Sequence, residues 1–205
     1  MQDTIISSVD GLYNIYKEPT ELVQKKQLDR LDVHCRNFIA LSPFLVLGTY
    51  GDDGTADASP RGDAAGFVKV VDDHTLLLPD RPGNNRLDTM INIIHNPAVG
   101  LLFMVPGINE TLRVNGDAVI TTDPELLAEH AINEKLPTSI LKISVKAAYL
   151  HCAKALIRSR LWAPETQVER SSFPSLGKII ADQIGNLDAD EADRRLAESY
   201  KNRLY

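Results

Sequence analysis

The chain has 205 residues, 43% of them apolar and 24% charged, enough for one domain whose core needs no metal or disulfide staple. A formal net charge of −6 excludes general affinity for nucleic acid or for anionic membrane surfaces. No apolar run approaches the ~18 residues of a membrane span, and two cysteines far apart in sequence, Cys35 and Cys152, suit a reducing cytoplasm.

Met1-Gln2-Asp3-Thr4 has no basic segment leading into an apolar stretch, so no signal peptide is expected. From Glu21 to Leu41, Leu22, Leu28, Leu31, Cys35, Phe38 and Ile39 recur at mostly helical spacing, which predicts one amphipathic helix stopped by Ser42-Pro43. The period then becomes extended. Phe44–Tyr50 is an apolar strand ending at Gly51-Asp52-Asp53-Gly54, a hairpin signal. Gly66–Val71 and Thr75–Leu78 flank Asp72-Asp73-His74 and predict a second hairpin. Arg86–His95 presents Leu87, Met90, Ile91 and Ile94 on one helical face and stops at Asn96-Pro97.

Val99–Val105 and Thr111–Thr121 are two further strands across Pro106-Gly107; Arg113, at alternating spacing, suits a cross-strand ion pair as well as a ligand contact. Thr122-Asp123-Pro124-Glu125 reads as a capping box with an early proline. Ser139–Leu150 alternates into a sixth strand. His151 and Cys152 then fall on opposite faces, which argues against a catalytic pair. Ser175–Ile184 and Asp190–Tyr205 predict two tail helices. The whole is mainly β with helices (α+β): a six-stranded antiparallel barrel with flanking helices and a helical C-terminal tail. Within one domain, residues 1–41 form an N-terminal helical segment, 42–165 the barrel core and 166–205 the tail.

Neither a dinucleotide Gly-x-Gly-x-x-Gly, nor a phosphate-loop Gly-Lys-Ser/Thr, nor His-Glu-x-x-His, nor Gly-x-Ser-x-Gly occurs. The cysteines lack metal-ligand spacing, and no metal site is expected. Three stretches suit an anion. Lys135 to Pro164 holds Lys135, Lys142, Lys146, Lys154, Arg158 and Arg160 and no Asp or Glu; it is a phosphate partner or a basic face packed on acidic residues elsewhere. Leu78-Pro79-Asp80-Arg81-Pro82-Gly83-Asn84-Asn85-Arg86 runs from a strand into a helix N-terminus, where Asn84 or Asn85 could equally be a cap. Ser59-Pro60-Arg61-Gly62-Asp63-Ala64-Ala65-Gly66 lets a planar ligand approach the backbone.

In this order, and followed by Thr111-Leu112-Arg113-Val114-Asn115-Gly116 and Tyr149–Trp162, these stretches resemble the FMN-binding split-barrel flavoproteins of the pyridoxamine 5′-phosphate oxidase superfamily. The resemblance covers about residues 20–165. It implies a six-stranded FMN-binding split barrel and a homodimer with FMN at the subunit interface. It also implies flavin-lining roles for Arg61, Gly62 and Asp63, positions beside the ring for Pro79 and Asp80, and a phosphate loop at Asn84, Asn85 and Arg86. Thr111 falls where true pyridoxamine phosphate oxidases place a flavin-touching Gln. Lys154, Arg158, Ser159, Arg160 and Trp162 are candidates for the remaining wall, with reach from the partner subunit as one option. True pyridoxamine phosphate oxidases carry Arg-Lys where this chain has Asn84-Asn85, and their C-terminal substrate pattern is missing, so that activity is not expected. The reading favoured is an FMN-dependent oxidoreductase acting on an unidentified small molecule. A flavin-binding protein without turnover and a split barrel for haem or a deazaflavin are the alternatives.

Overall fold

The computed structural model describes residues 4–205; Met1 to Asp3, part of the stretch read for a targeting signal, lie outside the described residues. A short helix, α1 (Val9–Tyr13), precedes α2 (Glu21–Lys25) and α3 (Val33–Leu41). Seven strands follow: β1 (Phe44–Tyr50), β2 (Ala56–Gly62), β3 (Lys69–Asp72), β4 (Thr75–Asp80), β5 (Ala98–Met104), β6 (Thr111–Thr121) and β7 (Ser139–His151). α4 (Asp88–His95) lies between β4 and β5, and α5 (Pro124–Glu129) between β6 and β7. The chain ends with α6 (Lys154–Ser159), two 3₁₀ turns, α7 (Leu176–Ile184) and α8 (Ala189–Asn202).

The strands form one antiparallel sheet in the order β2-β1-β5-β6-β7-β4-β3. This corrects the expected six-stranded barrel: among the described residues there are seven strands, with β2 and β3 at the two edges of the sheet, so the barrel is not closed. The strand missing from the sequence reading is β2. Its Ala-Asp-Ala-Ser-Pro-Arg-Gly has no apolar alternation because none of it is fully buried. Pro60, opposite Val46, is tolerated because the outer side of an edge strand has no ladder to complete.

The core forms where the inward residues of the long strands meet α3. Leu45, Leu47, Leu101, Phe103, Leu112, Val114, Ile143 and Leu76 pack with Cys35, Phe38 and Ile39, each full side-chain burial contributing ~1.5–3 kcal/mol. β6 and β7 shift register between Asn115 and Gly116. A Cβ on Gly116 would lie 2.2 Å from the Ser144 carbonyl oxygen, so the bulge requires glycine there.

The single helix expected over Glu21–Leu41 is two. Between them Leu28 exchanges backbone hydrogen bonds with Ala148 of β7, at 3.0 and 2.8 Å. Asp32 then restarts the helix by accepting from the Cys35 N–H at 2.8 Å. In the tail, Ser175 and Asp188 cap α7 and α8, which pack chiefly on each other. No described helix is long and apolar enough to cross a membrane.

Candidate functional site

Two strand ends and one helix start converge on a small cavity. β2 leaves the Gly51–Gly54 turn, which Asp53 holds by accepting from the Thr55 N–H at 2.9 Å and its hydroxyl at 2.6 Å. Along β2, Asp57, Ser59 and Arg61 share the half-buried face. β4 delivers Pro79 and Asp80 opposite Ile140 and Ser139 of β7. Pro79 lies past Leu77, the last β4 residue paired with β3 on that side, so its missing N–H breaks no ladder there.

The 81–87 loop then turns into α4. Asn84 Oδ1 accepts from the Arg86 N–H at 3.0 Å, and Asn85 takes a left-handed conformation at φ 56°, which Asn tolerates. These two turns consume the residues expected to open the helix, so α4 begins at Asp88 rather than Arg86. Leu87 occupies its N-cap and no side chain caps its first turn.

Arg61, Asp80, Asn84, Asn85 and Arg86 line the resulting cavity of about 100 Å³, joined by Arg81, Thr89 and Thr138. Arg61 is its charged floor. Its side chain is 23% exposed, its Nη2 lies 4.0 Å from Asp80 Oδ1, and its Nε is buried with no acceptor. A buried donor left unpaired costs ~1–3 kcal/mol, more when charged, so the hydrogen-bonding capacity of the Arg61 guanidinium is not fully used within the described residues. Burial pushes the Asp80 carboxyl above the usual carboxylate range, and the Arg61 charge draws it back in part. Arg86 stands at the rim, 77% exposed, its Nε donating to Asp88 Oδ2 at 2.5 Å.

A larger groove of about 570 Å³ opens beside this cavity, between the β1–β2 turn and α4, and shares Arg86 with it. Asp52, Asp53, Asp57 and Asp88 line that groove. Their charge disfavours phosphate, so the smaller Arg61 cavity is the better anion seat.

The other expected residues do not line this cavity. The Asp63 side chain is 2% exposed, accepting from Arg81 Nε at 3.0 Å and from the Tyr205 hydroxyl at 2.8 Å. Gly62 is exposed at the end of β2, and Pro79 is buried within β4. Thr111 is buried, one residue before Leu112, which is three strands across from Arg61 through Leu45 and Phe103. Three strand spacings are roughly 14 Å. Lys154, Arg158 and Ser159 are exposed on α6. Arg160 is the left-handed cap of α6 at φ 52° and pairs with Glu165. Trp162 Nε1 donates to the Ile108 carbonyl at 2.9 Å and pins this segment to the β5–β6 turn.

The basic Lys135–Pro164 stretch is partly answered by acids outside it: Lys146 pairs with Asp117, and Arg160 with Glu165. Among the described residues Arg113 makes no cross-strand ion pair. It faces Tyr149, with its guanidinium 5.9 Å from the ring, and donates to Asn115 Oδ1 at 3.1 Å. Beside it, burial first, then the charges of Arg113 and Lys26, lower the His151 pKa. Among the described residues no cluster of His, Cys, Asp and Glu is placed to hold a metal.

Two contributors escaped the sequence reading. Arg81 stands inside the Leu-Pro-Asp-Arg-Pro-Gly stretch, but nothing local distinguishes it from Arg86. Tyr205 lies 142 positions from its partner Asp63, beyond the reach of any local signal.

A family model described as pyridoxamine 5′-phosphate oxidase matches residues 31–152, all seven strands included. Among solved structures, HupZ from Group A Streptococcus is 17% identical, with 58% of this chain and 92% of that chain covered and a TM-score of 0.48. A Lactobacillus delbrueckii protein, provisionally assigned as a pyridoxamine 5′-phosphate oxidase, is 19% identical over 60% and 98% of the two chains, with a TM-score of 0.48. General stress protein 26 of Bacillus anthracis is 19% identical over 58% and 94%, with a TM-score of 0.43. No curated protein matches the chain significantly.

Proposed function

The chain belongs to the pyridoxamine 5′-phosphate oxidase family, and we propose that it is an FMN-dependent oxidoreductase of an unidentified small molecule, with the cofactor phosphate seated in the Arg61 cavity. One observation carries this reading. Arg61, with no hydrogen-bond acceptor for its buried Nε among the described residues, lines a cavity together with Asn84, Asn85 and Arg86 beside the uncapped first turn of α4. Cationic side chains and free helix N–H groups together favour a phosphate.

At about 100 Å³ the cavity is smaller than the ~300 Å³ at which pockets begin to enclose a cofactor-sized ligand. It therefore takes the phosphate end and leaves the ring against a surface outside it. We propose that this surface is completed by a second copy of the chain, in a homodimer with FMN at the interface. Lys154 and Arg158, exposed on α6, are candidates for that outer wall. Two free cysteines, Cys35 and Cys152, fit residence in the reducing cytoplasm.

When bound, FMN supplies the hydride and electron transfer. The chain's residues bind and orient. Arg61 and Arg86 offset the phosphate charge, the side-chain amides of Asn84 and Asn85 add donors, and Asp80 limits the net positive charge of the floor. Asn84-Asn85 in place of a basic pair favours a substrate other than pyridoxamine phosphate. Fluorescence titration with FMN and riboflavin tests the seat. FMN binding about tenfold or more tighter than riboflavin, or ~1.4 kcal/mol, supports it; equal affinities remove it.

A further inference from the structure

We propose that Tyr205 is a positioning residue for the Arg61 cavity, clamping the Asp63–Arg81 pair that ties the two strand ends of the site together, so that tail docking and ligand binding are coupled. The inference rests on reading that cavity as the FMN phosphate seat.

Asp63 follows Gly62, the last residue of β2, and stands two positions after Arg61. Arg81 follows Asp80, the last residue of β4, and itself lines the cavity. Their ion pair, at 3.0 Å with side chains 2% and 16% exposed, staples the strand that carries Arg61 to the strand that carries Asp80. Arg81 Nη1 adds a hydrogen bond to the His130 carbonyl at 2.8 Å. A buried pair holds only when its remaining polar atoms are also satisfied. The second Asp63 oxygen is satisfied by the Ala64 N–H at 2.8 Å and by the Tyr205 hydroxyl at 2.8 Å.

Tyr205 grips the staple twice. Its ring also lies 5.7 Å from the Arg81 guanidinium, within cation–π range. Lys135 Nζ fixes the main chain of the same residue by donating to its oxygen at 2.9 Å. The Asp63 hydrogen bond, then burial, raise the Tyr205 pKa. Because α7 and α8 pack chiefly on each other, Tyr205 is a specific tether from tail to barrel. A ligand that orders the Arg81 loop then strengthens tail docking, and tail docking strengthens the ligand site by the same factor.

The test uses the full chain, with Tyr205→Phe and Tyr205→Ala. Tyr205→Phe removes only the hydroxyl and guards against misfolding of the alanine variant. FMN titration and limited proteolysis of the tail, with and without FMN, are read together with thermal stability. In Tyr205→Ala the FMN dissociation constant should rise about tenfold, within the usual range of coupling between sites, with Tyr205→Phe intermediate. FMN should slow cleavage of the wild-type tail and not of the alanine variant. An unchanged dissociation constant in Tyr205→Ala, with equal tail protection by FMN, overturns the coupling even if the melting temperature falls. A wild-type chain that binds neither FMN nor inorganic phosphate removes the phosphate seat itself, and the coupling with it.

Discussion

Arg61 presents Nη2 to the Asp80 carboxylate at 4.0 Å while keeping Nε buried and unpaired. The pair is too long for a hydrogen bond, so the guanidinium is oriented but not satisfied. An anion entering the cavity meets a cation whose hydrogen-bonding capacity is unspent and a carboxylate that resists its charge.

Arg61→Ala should weaken FMN binding about ten- to hundredfold, since a hydrogen bond to a charged group contributes ~1.5–3 kcal/mol. Riboflavin, without the phosphate, should bind the variant and the wild type alike. Arg61→Lys should fall between, because it keeps the charge but loses the planar fork. Fluorescence titration of all three reads this directly.

Asp80→Asn should tighten FMN binding about tenfold at neutral pH, because carboxylate–phosphate repulsion at ~6 Å is of order 1–3 kcal/mol at an effective dielectric of ~20. The Asp80 pKa is raised in the fold, so the proton favours the folded and the liganded forms. The stabilisation from that proton is present at low pH and is lost as pH rises through the raised value. The affinity difference between Asp80→Asn and wild type should therefore shrink as pH falls through that value. The titration of the phosphate itself is common to both proteins and cancels.

The two cysteines should react very differently. Burial, and the neighbouring Asp32, push the Cys35 thiol up to about 11, while Cys152 is exposed. Native protein should show one thiol reacting rapidly with a disulfide reagent and a second only after unfolding. Two rapid thiols would mean that α3 does not cover Cys35 as described.

Gly116→Ala should cost about 2–4 kcal/mol, because the added Cβ meets a backbone carbonyl at 2.2 Å that no rotamer change relieves. Urea unfolding measures it. A loss below about 0.5 kcal/mol would contradict the register of β6 on β7.

The sequence revealed the elements whose residues are buried on one side with a regular period. Phe44–Tyr50 and Thr111–Thr121 are strands with the bounds their apolar pattern implies. It hid β2, because an edge strand half-buried at most carries no such period, and Pro60 reads locally as a turn. It also joined α2 to α3, since Leu28 keeps helical spacing while its backbone pairs with Ala148. At the site, the local cluster Asp80, Asn84, Asn85 and Arg86 was legible in one short stretch, and Arg61 in another. The Tyr205–Asp63 contact was not, because only the folded sheet brings residues 142 apart together.

Flavin binding is read from the visible absorption spectrum of the purified protein, with acid release and identification of any chromophore, and with FMN added if it is colourless. A flavin spectrum with FMN in the acid supernatant, or saturable uptake of added FMN that Arg61→Ala weakens, is expected of an FMN protein whose phosphate sits on Arg61. A colourless protein that leaves added FMN free would contradict that reading, leaving the family fold in place and removing the flavin chemistry.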